Sequence, residues 1–431
     1  MKIAMMTNNY KPFIGGVPIS VERLTEGLRS LGHEVYVFAP EYKEVHDGWE
    51  PYEEDVIRYG AGKKRMENGM VFPNVLDKRI KEEFACRRFD LIHVHQPMLI
   101  GNVAKHYSRK YNIPLAFTWH TRYEEYLHYL KPFISIEEEQ KVKRFLYQKC
   151  QKGLPYYMRA FANGCDLIYA PSGEMEMYLK EQKIKPEVSV LPTGLSEDSF
   201  VENKERSAQI RRELLGDRKT TDKKLLFCTV SRIEKEKNLY FLLDAVKELK
   251  NRLGDMFRFV IVGEGSERKA LMSYAEEKGL GHTVQFTGGV PNEAVKDYLF
   301  ASDLFLFSSK SETQGIVLAE AMAAGLPVSA VRACGVNDIV ADGENGRLSG
   351  ECLEEYVGHT VHMAKDESYR KALSAGARKT AKQYDCKAIA RQAEEGYRNA
   401  CKKRERSEQY GNNINRQETR ESSFLRLFKV S

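Results

Sequence analysis

Two glutamates, Glu312 and Glu320, lie within SETQGIVLAEAMAAG at 311–325, a stretch that otherwise reads as buried backbone and small apolar side chains. Glu320 is the sole charged residue between Gly315 and Val331, and its neighbours are Ala319, Ala321, Met322, Ala323 and Ala324. A carboxylate in such surroundings needs strong donors, because burying it unpaired is costly. Sugar hydroxyls would serve, and so would a nearby lysine or arginine; the stretch alone leaves both readings open. Glu312, upstream in the loop, is placed either to accept from a second set of hydroxyls or to sit in solvent. Gly315 lets backbone come close to a ligand, and the free N–H groups of the helical turn that follows favour an anion.

Other strand ends carry complementary chemistry. SRIEKEKN follows the apolar run LLFCTV and places Arg232 and Lys237 in a loop leading into a helix. The pair suits a diphosphate, arginine through bidentate hydrogen bonds and lysine as a point charge, although each taken singly is also an ordinary surface cation. In an open α/β sheet these loops and GEGS (263–266) converge at the carboxyl ends of the strands. His120 ends another apolar run, PLAFTWH, while His93 and His95 share one face of a strand. Three histidines can form a metal site, or each can be satisfied by backbone and solvent. No D-x-D pair stands by to hold a metal, and no convincing protein nucleophile is found.

The elements that must position these residues alternate. Lys2 to Met6 is a short apolar run, a turn-rich loop NNYKPFIGGVP follows, and Ile19, Leu24, Leu28 and Leu31 give a helical stripe stopped by Gly32 before EVYVFA. DLIHVH, PLAFTWH and DLIYAPS are further apolar runs with polar ends, as strands of a parallel sheet are. After Leu195 the chain turns polar, and then a second alternation runs from LLFCTVSRI to LPVSAV. Two βα-alternating halves joined by a linker predict an α/β fold of two doubly wound domains facing a cleft, at 1–195 and 196–385. A helix at about 386–403 is expected to cross back to the first domain, leaving 404–431 as a basic, flexible tail. At 431 residues, 42% hydrophobic and 30% charged, the composition is that of a soluble globular protein. No apolar run is long enough for a membrane span and no signal-peptide pattern opens the chain, so a cytoplasmic location is expected. Eight cysteines without a C-x-x-C pair are expected to be reduced thiols.

An N-terminal GGV loop, SRIEKEKN, VQFTGGVP and the E-x7-E of SETQGIVLAEAMAAG, in that order, resemble the retaining glycosyltransferases of family 4, over about residues 1 to 400. The resemblance implies the GT-B architecture of two Rossmann-like domains. It also implies a metal-independent enzyme that needs no cofactor and takes a nucleotide sugar, with UDP-glucose as the expected donor. By position, Arg232 and Lys237 would hold the diphosphate, with Gly16 approaching from the first domain. Glu320 would take the ribose hydroxyls and Glu312 the donor sugar. Backbone at Gly288, Gly289 and Val290 would read the base, and Thr313, Gln314, Gly315 and Ile316 would offer N–H groups to the phosphate and hexose. His120 matches a histidine near the reacting sugar, so His120, Arg232, Lys237 and Glu312 form the expected catalytic set. The family retains the donor's anomeric configuration, and front-face attack through an ion-pair-like state would require no protein nucleophile.

TWHTRYEEYLHYLKPF, with Tyr123 and Tyr126, is similar to the subgroup that glucosylates diacylglycerol at the membrane surface. From Gly101 to Tyr169 there are eleven lysines and arginines against six acids, and none of the acids falls between Gln140 and Cys165. Lys141, Lys143, Arg144 and Lys149 stand there among Phe145, Leu146 and Tyr147, a mixture that suits an anionic bilayer, or equally a solvated helix face. The expected activity is α-linked transfer of glucose to a diacylglycerol-type lipid by an enzyme docked on the inner face of the cell membrane. Alternatives are synthesis of cell-wall or capsular glycan, or mannosylation of a phosphoinositide-like lipid. A dinucleotide-dependent oxidoreductase is disfavoured because GGVP is not G-x-G-x-x-G, although Glu41 stands near the end of the second strand. A net charge of only +6 and the lack of a reader motif argue against nucleic acid as a partner.

Overall fold

The computed structural model describes residues 1–13, 15–42, 55–65, 70–121, 141–216 and 224–427. Its first sheet runs in the order β3-β2-β1-β6-β7-β8-β9, every neighbouring pair parallel. The strands are β1 (Lys2–Met6), β2 (Glu34–Pro40), β3 (Val56–Tyr59), β6 (Leu91–Val94), β7 (Leu115–Thr118), β8 (Leu167–Ala170) and β9 (Glu187–Val190). A small antiparallel hairpin, β4 (Ala61–Arg65) with β5 (Val71–Pro73), stands apart from it. The second sheet, also parallel, has the order β12-β11-β10-β13-β14-β15. Its strands are β10 (Leu225–Val230), β11 (Phe257–Val262), β12 (Val284–Gly288), β13 (Leu304–Phe307), β14 (Val328–Val331) and β15 (Gly346–Ser349). Two helix-flanked parallel sheets make this the α/β GT-B architecture.

Strand order explains where a ligand belongs. The chain builds outward from β1 to β3 and then returns to add β6 on the other side of β1. Likewise it builds β10, β11 and β12 before placing β13 on the opposite side of β10. Each reversal leaves two diverging loops at the carboxyl ends of neighbouring strands, and the gap between them is the binding crevice of such sheets. The loops after β10 and β13 hold Arg232, Lys237 and Glu312; those after β1 and β7 hold Gly16 and His120.

Local sequence accounts for the elements at these edges. Helices α1 (Gly16–Ser30), α2 (Lys78–Cys86), α3 (Ile100–Tyr111), α4 (Lys141–Ala162) and α5 (Gly173–Glu181) belong to the first half, and α6 (Lys204–Leu215) precedes the second sheet. Next, α7 (Leu239–Leu253) buries Leu239, Leu242, Leu243, Val246, Leu249 and Leu253, the i, i+3, i+4, i+7 stripe of a helix lying on a sheet. After α8 (Arg268–Glu277) and α9 (Asn292–Ala301), α10 (Ile316–Ala323) begins at Gly315, whose φ of 76° is left-handed and so cheapest for glycine. Helices α11 (Leu353–Lys365), α12 (Glu367–Ala381) and α13 (Cys386–Leu427) complete the chain. Each sheet is covered on both faces, by separate apolar clusters.

Helix α13 packs on α1 and the first sheet through Ile389, Ala390, Ala393, Tyr397 and Ala400. Burying such side chains contributes about 1.5–3 kcal/mol for each large one. A Cβ at Gly27 of α1 would lie 2.6 Å from the Cys386 carbonyl oxygen, so glycine permits the close approach. The chain thus crosses between the halves twice, and the crossings touch: Leu195 N donates to Tyr384 O and Cys386 N to Leu195 O, at 2.6 and 3.0 Å. Cysteines 86, 165, 228, 334, 352, 386 and 401 are free thiols. No helix among the described residues is long and apolar enough to cross a membrane.

Candidate functional site

The second sheet's crevice is built around an ion pair. Lys237 sits in the single helical turn Lys235–Lys237 after β10, and its Nζ lies 2.5 Å from Glu312 Oε1. Ser309 Oγ donates to the same oxygen at 2.9 Å, while Ser308 Oγ ties the two loops together by donating to the Lys237 and Asn238 carbonyls. Burial pushes the Glu312 carboxyl up, but the Lys237 charge, the hydrogen bonds from Lys237 and Ser309 and the more distant Arg232 outweigh it, and the net shift is downward. Glu312 is therefore an anion at neutral pH. Arg232 pairs with Glu236 at 3.0 Å, its side chain about half exposed.

The neighbouring loops close in by backbone contact. Gly263 N donates to Gly288 O at 3.0 Å, and Ile233 N donates to Glu264 O at 2.9 Å, so the loops after β10, β11 and β12 form one rim. A Cβ on Gly263, at φ 145°, would stand 1.9 Å from Ser231 O; only glycine fits. Gly288 is buried with φ 76°, Gly289 is exposed and Val290 packs partly against the core.

Residues from the first half meet this rim. Thr313 Oγ1 donates to His120 O at 2.8 Å, and the Gln314 side chain exchanges two hydrogen bonds with Thr193, at 2.8 and 3.1 Å. Glu320 Oε1 accepts from Arg23 Nη2 at 2.6 Å, and Arg23 Nη1 donates to Gly194 O at 3.2 Å. Of the two partners left open for Glu320 on sequence, an arginine is present, and it comes from α1 of the other half. Gly16 begins α1 in an exposed position with open space around its Cβ direction.

The histidines form a stacked, hydrogen-bonded group rather than a convergent ligand set. His93 Nε2 and Nδ1 meet Thr118 Oγ1 and Tyr397 Oη, both at 2.7 Å. His95 Nδ1 is 2.8 Å from His120 Nε2, and its Nε2 meets the Met5 sulfur. A thioether only accepts, so His95 Nε2 carries the hydrogen, His95 Nδ1 accepts, and His120 Nε2 donates. That assignment leaves His120 Nδ1 as an unprotonated acceptor. Burial lowers His93 and His120 to about 3, and lowers His95 well below the ordinary range; all three are neutral at physiological pH. Among the described residues no group of three or more His, Cys, Asp or Glu side chains is arranged to hold a metal ion. Glu41 pairs with Arg79 at 2.5 Å.

Two family models match the chain in tandem: "Glycosyltransferase Family 4" over residues 14–199 and "Glycosyl transferases group 1" over 211–380. The chain belongs to glycosyltransferase family 4. It is a nucleotide-sugar-dependent hexosyltransferase of the retaining class. The transferase is 29% identical over 403 residues to the alpha-monoglucosyldiacylglycerol synthase of Acholeplasma laidlawii, covering 92% of this chain and 96% of that one. It is 28% identical over 350 residues to the enzyme of the same name from Streptococcus pneumoniae, covering 81% and 75%. Among solved structures, HepE of Anabaena in complex with UDP-glucose superposes with a TM-score of 0.67 at 20% identity, over 92% of the transferase and 98% of HepE.

The structure thus joins Lys237, Glu312, Thr313, Gln314 and His120 of the transferase in one cluster, with Arg232 near enough to lower the Glu312 carboxyl and Glu320 paired separately with Arg23 of α1. Tyr123 and Tyr126 lie outside the described residues, and of Lys141, Lys143, Arg144 and Lys149 only the helical backbone of α4 is described. Sequence reasoning missed Arg23, Thr193, Ser309 and the His95–Met5 pair. One signal was available for Arg23: it lies one turn before Gly27 on the same face, an arginine on the side of α1 that a glycine marks as closely packed.

Proposed function

We propose that the transferase moves glucose from UDP-glucose to a diacylglycerol-type lipid with α linkage, at an anionic membrane surface. The observation that carries this reading is the convergence of Lys237, Glu312 and the His120 segment at the topological switch point of the second sheet. Lys237 and Arg232 supply positive charge for a diphosphate, and Glu312 and Glu320 accept hydroxyls at the hexose and ribose ends. Neutral His120 offers Nδ1 as an acceptor to the hexose from the first-domain wall. In the transfer, the bond from the anomeric carbon to the diphosphate oxygen breaks. The acceptor hydroxyl oxygen bonds to that carbon on the same face, and its proton passes to the departing phosphate oxygen. The cations then stabilise the leaving diphosphate.

The lipid acceptor is supported by the two relatives named for monoglucosyldiacylglycerol synthesis, which match most of the chain. It is also supported by the surface. Lys105, His106, Arg109 and Lys110 of α3 line a basic depression with Asn102, and Lys105 Nζ reaches Ala160 O of the adjoining α4 at 3.3 Å. On α4, Lys152, Tyr156 and Arg159 are exposed, with the Arg159 guanidinium 5.7 Å from the Tyr156 ring. Cations beside an exposed aromatic suit a lipid headgroup layer, each near the surface adding about 1 kcal/mol. The test is incubation with labelled UDP-glucose and diacylglycerol in phosphatidylglycerol vesicles, with the linkage of the product determined by NMR. An α-glucosyl lipid is expected; turnover only on soluble glycans, independent of vesicles, would refute the lipid acceptor.

A further inference from the structure

We propose that Arg23 is a positioning residue for the donor's ribose, so that the nucleotide site in the second half is completed by a side chain from the first. This inference rests on the reading that Glu320 takes ribose hydroxyls. Arg23 is buried on α1, and its guanidinium spans two partners, Glu320 Oε1 at 2.6 Å and the Gly194 carbonyl at 3.2 Å. Gly194 belongs to the chain crossing between the halves and packs against the return crossing: a Cβ there would stand 2.6 Å from Cys386 Cα. One guanidinium therefore connects the crossing segment at Gly194 to the one acid on α10.

The electrostatics make Glu320 depend on that contact. Among its helix neighbours Ala319, Ala321, Met322 and Ala323 are buried, so the helix itself offers the carboxylate no charged partner. The guanidinium is a fixed, charged donor at 2.6 Å, which orients the carboxylate. A carboxylate has about four acceptor positions, and the Arg23 contact uses one of them on Oε1. The remaining positions suit the two adjacent hydroxyls of a ribose, which need an oriented, ionised acceptor. The Glu320 side chain is 18% exposed and remains reachable, whereas that of Arg23 is 10% exposed. Since Arg23 also donates to the Gly194 carbonyl of the crossing segment, ribose recognition is tied to the relative position of the halves.

The test compares UDP with 2′-deoxy-UDP by titration calorimetry on the full chain and on Arg23→Met, Arg23→Lys and Glu320→Gln. The wild type is expected to favour UDP by about tenfold, the worth of a hydrogen bond to a charged group. Arg23→Met and Glu320→Gln should each cut that preference to about threefold or less, and Arg23→Lys should restore part of it. A general loosening of the fold would weaken both nucleotides equally and leave their ratio intact. If folded Arg23→Met keeps the wild-type ratio while Glu320→Gln loses it, the positioning role is wrong and the donor reading stands. Should Arg23→Met fail to fold, an unchanged ratio in Arg23→Lys, whose ammonium cannot span both partners, overturns it equally. No heat from the wild type with UDP, GDP or ADP would bring down the donor reading itself.

Discussion

Lys237 Nζ and Glu312 Oε1 stand 2.5 Å apart, and Ser309 Oγ donates to the same carboxylate oxygen. The pair comes from loops that follow neighbouring parallel strands, so both charges are delivered to the crevice by the sheet rather than by a flexible contact. Removing the lysine leaves Glu312 without its counter-ion and, on the proposed reading, the diphosphate with one cation in place of two. Lys237→Ala is expected to lower kcat/KM roughly 100- to 1,000-fold and to destabilise the fold by about 3 kcal/mol. Steady-state kinetics and urea unfolding would check the two effects separately, and full activity in the variant would remove Lys237 from the machinery.

His120 is neutral well below physiological pH because burial holds it at about 3. Its Nδ1 is accordingly an acceptor at every pH at which the enzyme works. The profile of kcat/KM between about pH 5.5 and 8 should show no inflection near 6.5 that disappears in His120→Gln. Finding one would show that the imidazole ionises during turnover.

Stability should respond to acid through the same group of histidines. Burial lowers His93 to about 3 and lowers His95 well below the ordinary range, whereas in the unfolded chain both titrate near 6.5. Between these values the unfolded chain binds more protons, so their contribution is complete above about pH 6.5 and is lost as pH falls toward 3. Each buried histidine adds up to about 1.4 kcal/mol per pH unit to that slope. Unfolding free energies of wild type and His93→Gln at several pH values between about 4.5 and 7 should differ in slope by about this amount. Equal slopes would contradict the neutral buried state.

If α4 faces a bilayer, its exposed cations act through charge. Reversing both Lys152 and Arg159 to glutamate should weaken binding to phosphatidylglycerol vesicles by at least about 30-fold, at about 1 kcal/mol per cation lost, while leaving UDP affinity unchanged. Vesicle co-sedimentation over a salt series would measure this. Salt-insensitive binding by both proteins would argue for a purely apolar contact.

The two alternating halves were legible because a strand buried on both faces must be a continuous apolar run. The runs at Lys2–Met6, Leu91–Val94, Leu225–Val230 and Leu304–Phe307 have this property. Strands β3, β4, β5 and β15 escaped notice: VIRY is only partly buried, and GRLS carries glycine, arginine and serine at a sheet edge. The E-x7-E spacing and SRIEKEKN showed which side chains carry charge to the ligand edge, since loops after parallel strands share one end of the sheet.

By itself, then, the sequence determined the element order, the edge where ligands meet the sheets and the acids and cations available there, because burial pattern and turn chemistry are local properties. Only tertiary structure decided the partners. Arg23 and Glu320 are 297 residues apart, and His93 and Tyr397 are 304 apart. Nothing in either neighbourhood names the other, since a buried charge or imidazole requires a partner but does not specify which one. That choice is made when the crossing segments at Leu195 and Cys386 set one half against the other and bring α1, α10 and α13 within reach.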